Sequence, residues 1–227
     1  MYFDYYYLVL VVPTLILSII AQILVKSTFS KYSHIRCSRP VTGRDAAALL
    51  MQKNGIRDVA IEPVKGSLTD HYDPGSKKLR LSSPVYDQNS IAAVGVAAHE
   101  TGHALQHAKG YGPLALRSGL VPIANLGSSL GPWLAVAGLL LSFPVLVNIG
   151  ILLFGGAVVF YLITLPVEFN ASGRAMRLLK SENVLTPAEL QGVRKVLTAA
   201  ALTYVASALT ALMSFVRLIL ISRNRRR

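Results

Sequence analysis

Residues 90–103, with the sequence SIAAVGVAAHETGH, place two histidines four positions apart after a run of small, uncharged residues. The run favours a helix, on which residues i and i+4 share one face about one turn apart. His99 and His103 can therefore bind one zinc ion, and Glu100 can take a proton from a water molecule held there. The alternative is a polar helix face with two hydrogen-bonded histidines, which the apolar character of the preceding run disfavours.

The apolar residues of the chain are concentrated in long stretches without charge. Of 227 residues, 52% are hydrophobic and only 15% are charged, a composition unusual for a soluble protein. A membrane-spanning helix needs about 20 apolar residues. We therefore predict one span near residues 6–25, two across 118–167 with a turn at Pro144, and one near 196–220. Because residues 1–4 carry no positive charge, the first span is predicted to be a retained anchor rather than a signal peptide.

These stretches predict a mainly α membrane protein with about four transmembrane helices and a small α+β, zincin-like catalytic module that carries the zinc helix. The predicted parts are an N-terminal transmembrane anchor at 1–25, the module at 26–117, a transmembrane hairpin at 118–167, a third-ligand segment and amphipathic linker at 168–195, and a C-terminal transmembrane helix with a basic tail at 196–227.

Capping, turn and alternation signals predict the elements of the module. They are a polar linker at 26–40, a helix capped by Thr42 and ending at Asn54, a short strand at 59–61, a turn at 71–76, an edge strand at 78–82, and the zinc helix from Ser90 to about Lys109, stopped by Gly110. An edge strand beside such a helix can bind an extended peptide by strand addition. The sequence Thr-Pro-Ala-Glu at 186–189 predicts the start of a further helix.

A catalytic zinc ion takes three protein ligands and leaves a fourth place for water, so the histidine pair lacks one ligand. His107 continues the same helix but lies too far along it to close on one ion with both histidines. His34 lies upstream in the linker. His71 lies in a turn and can approach from the side, although a surface role accounts for it more simply.

Glu168 is the favoured third ligand. It ends a long uncharged stretch, where a carboxylate is costly unless it is paired; the alternative is an ordinary interfacial glutamate. Two predicted crossings separate it from the zinc helix and return the chain to the same side of the membrane, so Glu168 can meet His99 and His103. Asn170 and Ser172 can then orient the ligands by hydrogen bonds.

With these residues the chain resembles the bacterial membrane-bound neutral zinc metallopeptidases of the YugP-like family, which are of gluzincin type. The matching stretches cover most of the chain in order: DHYDP at 70–74, LS at 81–82, AAHETGHALQ at 97–106, LPVEFNAS at 165–172 and VLTAAALTYVA at 196–206. The resemblance implies a zinc-dependent membrane peptidase with a glutamate third ligand. Membrane proteases of the HtpX-like group carry Glu-x-x-x-Asp at this ligand, and here Ser172 stands in the last place.

The reaction we infer is hydrolysis of peptide bonds by a zinc metalloendopeptidase with one catalytic ion. Zinc activates a water molecule, and Glu100 takes its proton and delivers it to the leaving amine. The oxyanion needs a donor besides the metal. The candidates are His71, Tyr72, Arg174 and Tyr204, for each of which a structural role is the simpler account.

The expected partners are the lipid bilayer and a protein or peptide substrate, membrane proteins among them. The net charge of +12 fits basic residues that flank membrane spans, and no nucleic-acid motif accompanies it. The single cysteine, Cys37, excludes an intramolecular disulfide. Two rival classes remain: a non-catalytic membrane scaffold with a zinc site, which has no use for Glu100, and a transporter built around Glu168, which lacks other polar residues along a path.

The basic residues predict a multi-pass cell-membrane protein with a cytoplasmic catalytic site and both termini outside, by the positive-inside rule. The side of the zinc helix carries Lys26, Lys31, Lys109, Arg117, Arg174, Arg177, Lys180, Arg194 and Lys195, and the other side carries Arg223, Arg225, Arg226 and Arg227. The basic tail opposes this assignment and would fit better if the last segment did not cross.

Overall fold

A computed structural model describes residues 4–224; residues 1–3 and 225–227, including the last three arginines of the predicted basic tail, lie outside the described part. The elements are a π-helical turn (Tyr7–Val11) followed by helix α1 (Val12–Ser33), then α2 (Gly43–Lys53), β1 (Ala60–Val64), β2 (His71–Asp73), β3 (Lys78–Ser82), α3 (Ser83–Tyr86), α4 (Ile91–Ala108), α5 (Gly112–Leu140), α6 (Pro144–Ser181) and α7 (Pro187–Asn224).

Within the described residues, four helices are long and apolar enough to cross a membrane: Tyr7–Ser33, Gly112–Leu140, Pro144–Ser181 and Pro187–Asn224. The middle two are separated by a turn at 141–143, as the helix-breaking Pro144 predicted. The protein is therefore a mainly α membrane protein with a small α+β module, which confirms the predicted fold class.

The capping residues that the sequence indicated do begin the helices. Thr42 precedes α2, and its hydroxyl accepts a hydrogen bond from the Asp45 backbone at 3.1 Å. Ser90 caps α4 in the same way. Before α7, the carboxylate of Glu189 accepts a hydrogen bond from the Thr186 backbone N–H at 2.7 Å. Each cap satisfies backbone N–H groups that a helix start would otherwise leave unbonded.

The prediction of an edge strand at 78–82 is wrong. In the three-stranded sheet of the described residues the order is β1-β3-β2, with β3 parallel to β1 and antiparallel to β2. Leu79 and Leu81 are fully buried, whereas Lys78 and Arg80 lie on the other face and form ion pairs with Glu62. The polar–apolar alternation of β3 therefore reflects one buried and one exposed face of the sheet, and it does not show that the strand lies at the edge.

Three other boundaries differ from the sequence-based expectation. Residues 71–73, predicted as part of a turn, form strand β2, and the turn follows them. Helix α1 runs on to Ser33, because Phe29 and Tyr32 of the predicted linker bury one side of it. The third span, which was predicted to end near residue 167, continues as helix α6 to Ser181, with Pro166 inside it.

The described residues divide into two compact units. The site unit comprises residues 23–112 and 167–201. Its core joins α2, α4 and the sheet through fully buried side chains, among them Leu50, Leu79 and Val94. The sheet and α2 thus support the helix that carries the two histidines.

The helical unit comprises residues 4–22, 113–166 and 202–224 of the described chain. Its helices pack through small residues: a Cβ atom added to Gly131 would lie 2.9 Å from the backbone nitrogen of Phe154. An ion pair also joins the segment before the first helix to α7, since Arg217 lies 2.6 Å from Asp4.

Candidate metal centre

Helix α4 presents three chemically active side chains at the middle of its length. Its first half is a run of small residues that packs in the core, and the same burial continues through Glu100 and His103. The rings of His99 and His103 meet edge to face, with centroids 4.8 Å apart. The i, i+4 spacing thus turns both imidazoles toward one point.

Helix α6 brings Glu168 to this point. One carboxylate oxygen, Oε2, lies 3.2 Å from His99 Nε2 and 3.6 Å from His103 Nε2. The ligand atoms of the three residues all lie within 4.8 Å of one another. Ligands about 2.1 Å from a tetrahedral zinc ion lie about 3.4 Å from one another, so the donor set and its spacing fit zinc.

A glycine permits this close approach of α4 and α6. A Cβ atom added to Gly102 would lie 2.6 Å from the backbone oxygen of Ala171, closer than real Cβ atoms come to such an atom. Any other residue at 102 must therefore push α6 away. Glu168 lies one turn before this contact, so the distance between the helices sets how far its carboxylate reaches.

A buried glutamine fixes the tautomer of His103. The Nε2 group of Gln106 donates to the carbonyl of Val167 at 2.8 Å and to Oδ1 of Asn170 at 3.0 Å. Its oxygen must then be the atom that lies 3.0 Å from His103 Nδ1, and an oxygen can only accept. Nδ1 of neutral His103 therefore carries the proton, and the lone pair of Nε2 faces Glu168.

Two further residues of α6 extend this network. Ser172 Oγ lies 3.1 Å from His99 Nδ1, which leaves Nε2 of His99 toward Glu168. Arg174 Nε donates to Asn170 Oδ1 at 2.7 Å, so this oxygen accepts from both Arg174 and Gln106. The hydrogen bonds around the cluster thus orient both imidazoles from their far sides, as the partners of metal-bound histidines do.

Glu100 is buried, with only 7% of its surface exposed. Burial raises the pKa of its carboxyl group to about 7, which the nearby His99 and a hydrogen bond from the Tyr72 backbone N–H oppose and the charges of Glu168 and Asp70 reinforce. The base candidate is thus held between the histidine pair and strand β2.

The other predicted candidates are not part of the three-residue cluster. His71 is exposed at the start of β2, with Nδ1 2.9 Å from the Thr69 carbonyl. The Tyr72 hydroxyl lies 2.7 Å from His107 Nδ1, and the guanidinium of Arg174 lies over the ring of Tyr111. The remaining two lie apart: His34 is exposed beyond α1, and Tyr204 belongs to the helical unit.

Sequence reasoning missed three residues of this site: Gln106, Gly102 and Asp70. Gln106 follows His103 by three positions on one helix, a spacing at which side chains meet. The sequence could therefore have predicted the contact between these two residues. Gly102 and Asp70 stand in stretches that match the family, but no spacing in the sequence indicated their roles. The half-buried carboxylate of Asp70 accepts hydrogen bonds from the backbone N–H of Ser82 at 2.7 Å and from its hydroxyl at 2.9 Å, which holds the start of β2 to the end of β3.

The fold and the cluster together define a class: a helical membrane protein in which two histidines of an H-E-x-x-H helix meet a glutamate from a second helix. A family model described as "Putative neutral zinc metallopeptidase" matches residues 7–223, and the chain belongs to this family. It is also similar to the "Putative membrane protease YugP" of Bacillus subtilis (strain 168), with 49% identity over 220 residues that cover 97% of this chain and 98% of the relative. A comparison with solved structures gave no match. Zinc, the membrane and the metalloprotease class that the sequence indicated are thereby confirmed.

Proposed function

We propose that this protein is a membrane-embedded zinc metalloendopeptidase whose single catalytic ion is held by His99, His103 and Glu168 and whose general base is Glu100. The observation that carries the proposal is the orientation of the cluster. Gln106 presents the lone pair of His103 Nε2 to Glu168, an arrangement suited to a metal ion. A histidine pair that served packing alone would have no need of a fixed tautomer.

In the proposed reaction, the metal ion and the protein's own residues have separate roles. Bound zinc would supply Lewis acidity, which polarises a scissile carbonyl and lowers the pKa of a water molecule. Glu100 takes the proton of that water and delivers it to the leaving amine. The hydrogen bond from the Tyr72 backbone N–H holds the carboxylate of Glu100 in place between these two transfers. Closure of the core around it keeps bulk water from competing for the proton.

None of His71, Tyr72, Arg174 and Tyr204 is assigned as the donor for the oxyanion in this proposal. The Tyr72 hydroxyl is engaged by His107 Nδ1 at 2.7 Å, and its backbone meets Glu100. Arg174 is engaged by Asn170, which fits the role of an orienting residue. In this proposal His71 and Tyr204 have structural roles.

The substrate class we propose is an extended protein or peptide segment, with membrane proteins included. Strand β2 pairs with β3 on one side, and among the described residues no strand pairs with its other side. Tyr72 of β2 lies beside Glu100, so a peptide added at that edge would run past the base. Backbone hydrogen bonds to an edge strand are a common means of binding extended peptides.

A comparison of Glu100→Gln with Glu182→Gln tests the proposal. The amide at position 100 is nearly isosteric but cannot accept the proton of the water, so cleavage of a quenched fluorescent peptide library should fall by about 10²–10⁴-fold, whereas zinc content by elemental analysis should not change. Glu182→Gln, outside the cluster, should match the unaltered protein in both measurements. Near-normal cleavage by Glu100→Gln that a chelator abolishes would assign the base to another residue, and normal zinc content without chelator-sensitive cleavage in the unaltered protein would favour a non-catalytic scaffold.

We also propose that the metal centre faces the cytoplasm and that both termini lie outside. Two contacts within the helical unit support an even number of crossings: Asp4 pairs with Arg217, and Asn224 donates to the Tyr6 hydroxyl at 3.0 Å. Both join the start of the described chain, at residues 4 and 6, to the C-terminal part of α7. A phosphatase that works only outside the cell should be active when fused after Arg227 and inactive when fused after Lys109. The reverse pattern would place the site outside and make envelope or secreted proteins its substrates.

A further inference from the structure

A cavity of about 390 Å³ lies beside the metal centre in the site unit, and the proposed reaction makes no use of it. Ala104, one helical turn after Glu100, lines its wall, and so does Tyr72, whose backbone N–H meets Glu100. The cavity therefore opens next to the base, on the same face of α4.

The cavity has a mixed lining with one polar end. Ile56, Val59, Ala104 and Ala108 supply the apolar part, and Asp58 and Lys77 line it as well. The polar end is the pair formed by the Tyr72 hydroxyl and His107 Nδ1, which lie 2.7 Å apart. This combination suits a long side chain with an apolar stem and a polar tip.

The polar end offers a hydrogen-bond donor whichever way the pair is protonated. If the Tyr72 hydroxyl donates to Nδ1, the Nε2–H group of His107 remains; if Nδ1–H donates to the phenol, the phenolic hydrogen remains. Among residues 4–224, neither side chain makes a second hydrogen bond. Burial raises the pKa of Tyr72 to about 12, so its hydroxyl stays protonated.

The charges at the mouth of the cavity offset each other. Asp58 and Lys77 line the cavity and form an ion pair, with 63% and 51% of their side chains exposed. Since neither charge is left over to attract an ion, a neutral hydrogen-bond acceptor fits the polar end better than a carboxylate or an ammonium group does.

The position along α4 sets the distance from the bond that is cut. His107 follows His103 by four residues and Glu100 by seven, which corresponds to about 6 Å and about 10 Å along a helix. An extended peptide advances about 3.3 Å per residue. For a peptide that runs alongside α4, a side chain in the cavity would therefore come from a residue two or three positions from the scissile bond.

From this geometry we infer that the cavity is a substrate subsite, selective for a large, neutral side chain with a hydrogen-bond acceptor at its tip, as in glutamine, at the second or third residue from the scissile bond. The inference rests on the proposed function, because only a peptidase has a scissile bond from which this position can be counted. The selective binding of such a side chain can be measured without catalysis.

Binding is measured on the zinc-loaded Glu100→Gln protein in detergent micelles. The probes are fluorescent peptide pools in which one position at a time is fixed as Gln, Leu or Glu. At one position, Gln should bind about three- to tenfold more tightly than Leu, which is the net value of one hydrogen bond, and also more tightly than Glu. Adding His107→Ala should remove this preference, and Tyr72→Phe should reduce it. Adding His34→Ala, a matched change of an exposed histidine, should leave it intact.

Equal binding of the Gln and Leu pools at every position would overturn the subsite, and so would a preference that survives His107→Ala. Cleavage sites in the unaltered protein provide the second reading: the preferred glutamine should lie two or three residues from the cut, and a preference adjacent to the cut would also overturn the assignment. If the Gln preference is present but no chelator-sensitive cleavage is found, the proposed peptidase function fails while the peptide-binding cavity stands.

Discussion

The metal centre and the buried threonines of the helical unit satisfy their polar side chains in different ways. In the helical unit, the hydroxyls of Thr14 and Thr164 donate to carbonyl groups three and four residues earlier in the same helix. In the site unit, Gln106 bonds to residues more than sixty positions away along the chain. Bonds within one helix satisfy a polar group in an apolar setting and fix nothing else. Bonds between helices hold side chains at the ligand atoms, so they determine the chemistry.

The largest effect on this arrangement is expected from Gly102→Ala. The added methyl group would meet the Ala171 backbone, and overpacking of this kind costs about 1–3 kcal/mol; it would also move Glu168 away from the histidines. The matched control is Gly173→Ala, where nothing lies within 4 Å of the added Cβ atom, and where alanine should stabilise a helix by up to about 1 kcal/mol. Thermal unfolding in detergent and zinc content measure both effects. Equal behaviour of the two variants would contradict the close packing of α4 on α6.

A smaller effect is expected from Gln106→Met, which keeps the volume of the side chain but removes its amide. His103 then loses the acceptor that fixes its tautomer, and zinc affinity should fall by about 10–100-fold. Competition with a chromogenic chelator measures the affinity. Unchanged affinity would mean that the orientation of His103 is set by packing alone.

Ser172→Ala should have a weaker effect than Gln106→Met. His99 keeps 13% of its side chain exposed, compared with 8% for His103, so a water molecule can take the place of the serine hydroxyl at Nδ1. We expect a loss of zinc affinity of only a few-fold, roughly the value of one exchanged hydrogen bond. A larger loss than for Gln106→Met would reverse the proposed ranking of the two supports.

The smallest effect is expected in the helical unit, from Thr164→Val. Valine has nearly the same shape, and the carbonyl of Phe160 that loses the hydroxyl still has its own helical partner. Zinc affinity should not change, and stability in detergent should change by less than about 1 kcal/mol. A marked loss of zinc affinity in Thr164→Val would contradict the distinction between the metal centre and the helical unit.

Local patterns in the sequence predicted much of the fold and the centre of the site. The four apolar stretches, the Thr42 cap and the His99–His103 spacing each depend on residues close together in the chain, and so can be read without knowing what packs against them. Glu168 was predicted from its position after two spans, a topological argument that needs no contact.

The features that the sequence did not reveal all depend on contacts between distant segments. The alternation at 78–82 could not tell a central strand from an edge strand, because β1 and β2 come from other parts of the chain. Gly102 matters only because Ala171 lies against it. Gln106 fixes the tautomer of His103 only because both of its N–H groups have acceptors in α6.

Zinc content by elemental analysis tests the central claim most directly. The purified protein should carry about one zinc ion per chain, and His99→Ala and His103→Ala should each lose most of it, while His34→Ala, an exposed histidine outside the cluster, should retain it. Glu168→Gln should lose less than either histidine variant but still a marked share. Normal zinc binding by Glu168→Gln would remove Glu168 from the ligand set. Full retention of zinc by both His99→Ala and His103→Ala would contradict the account.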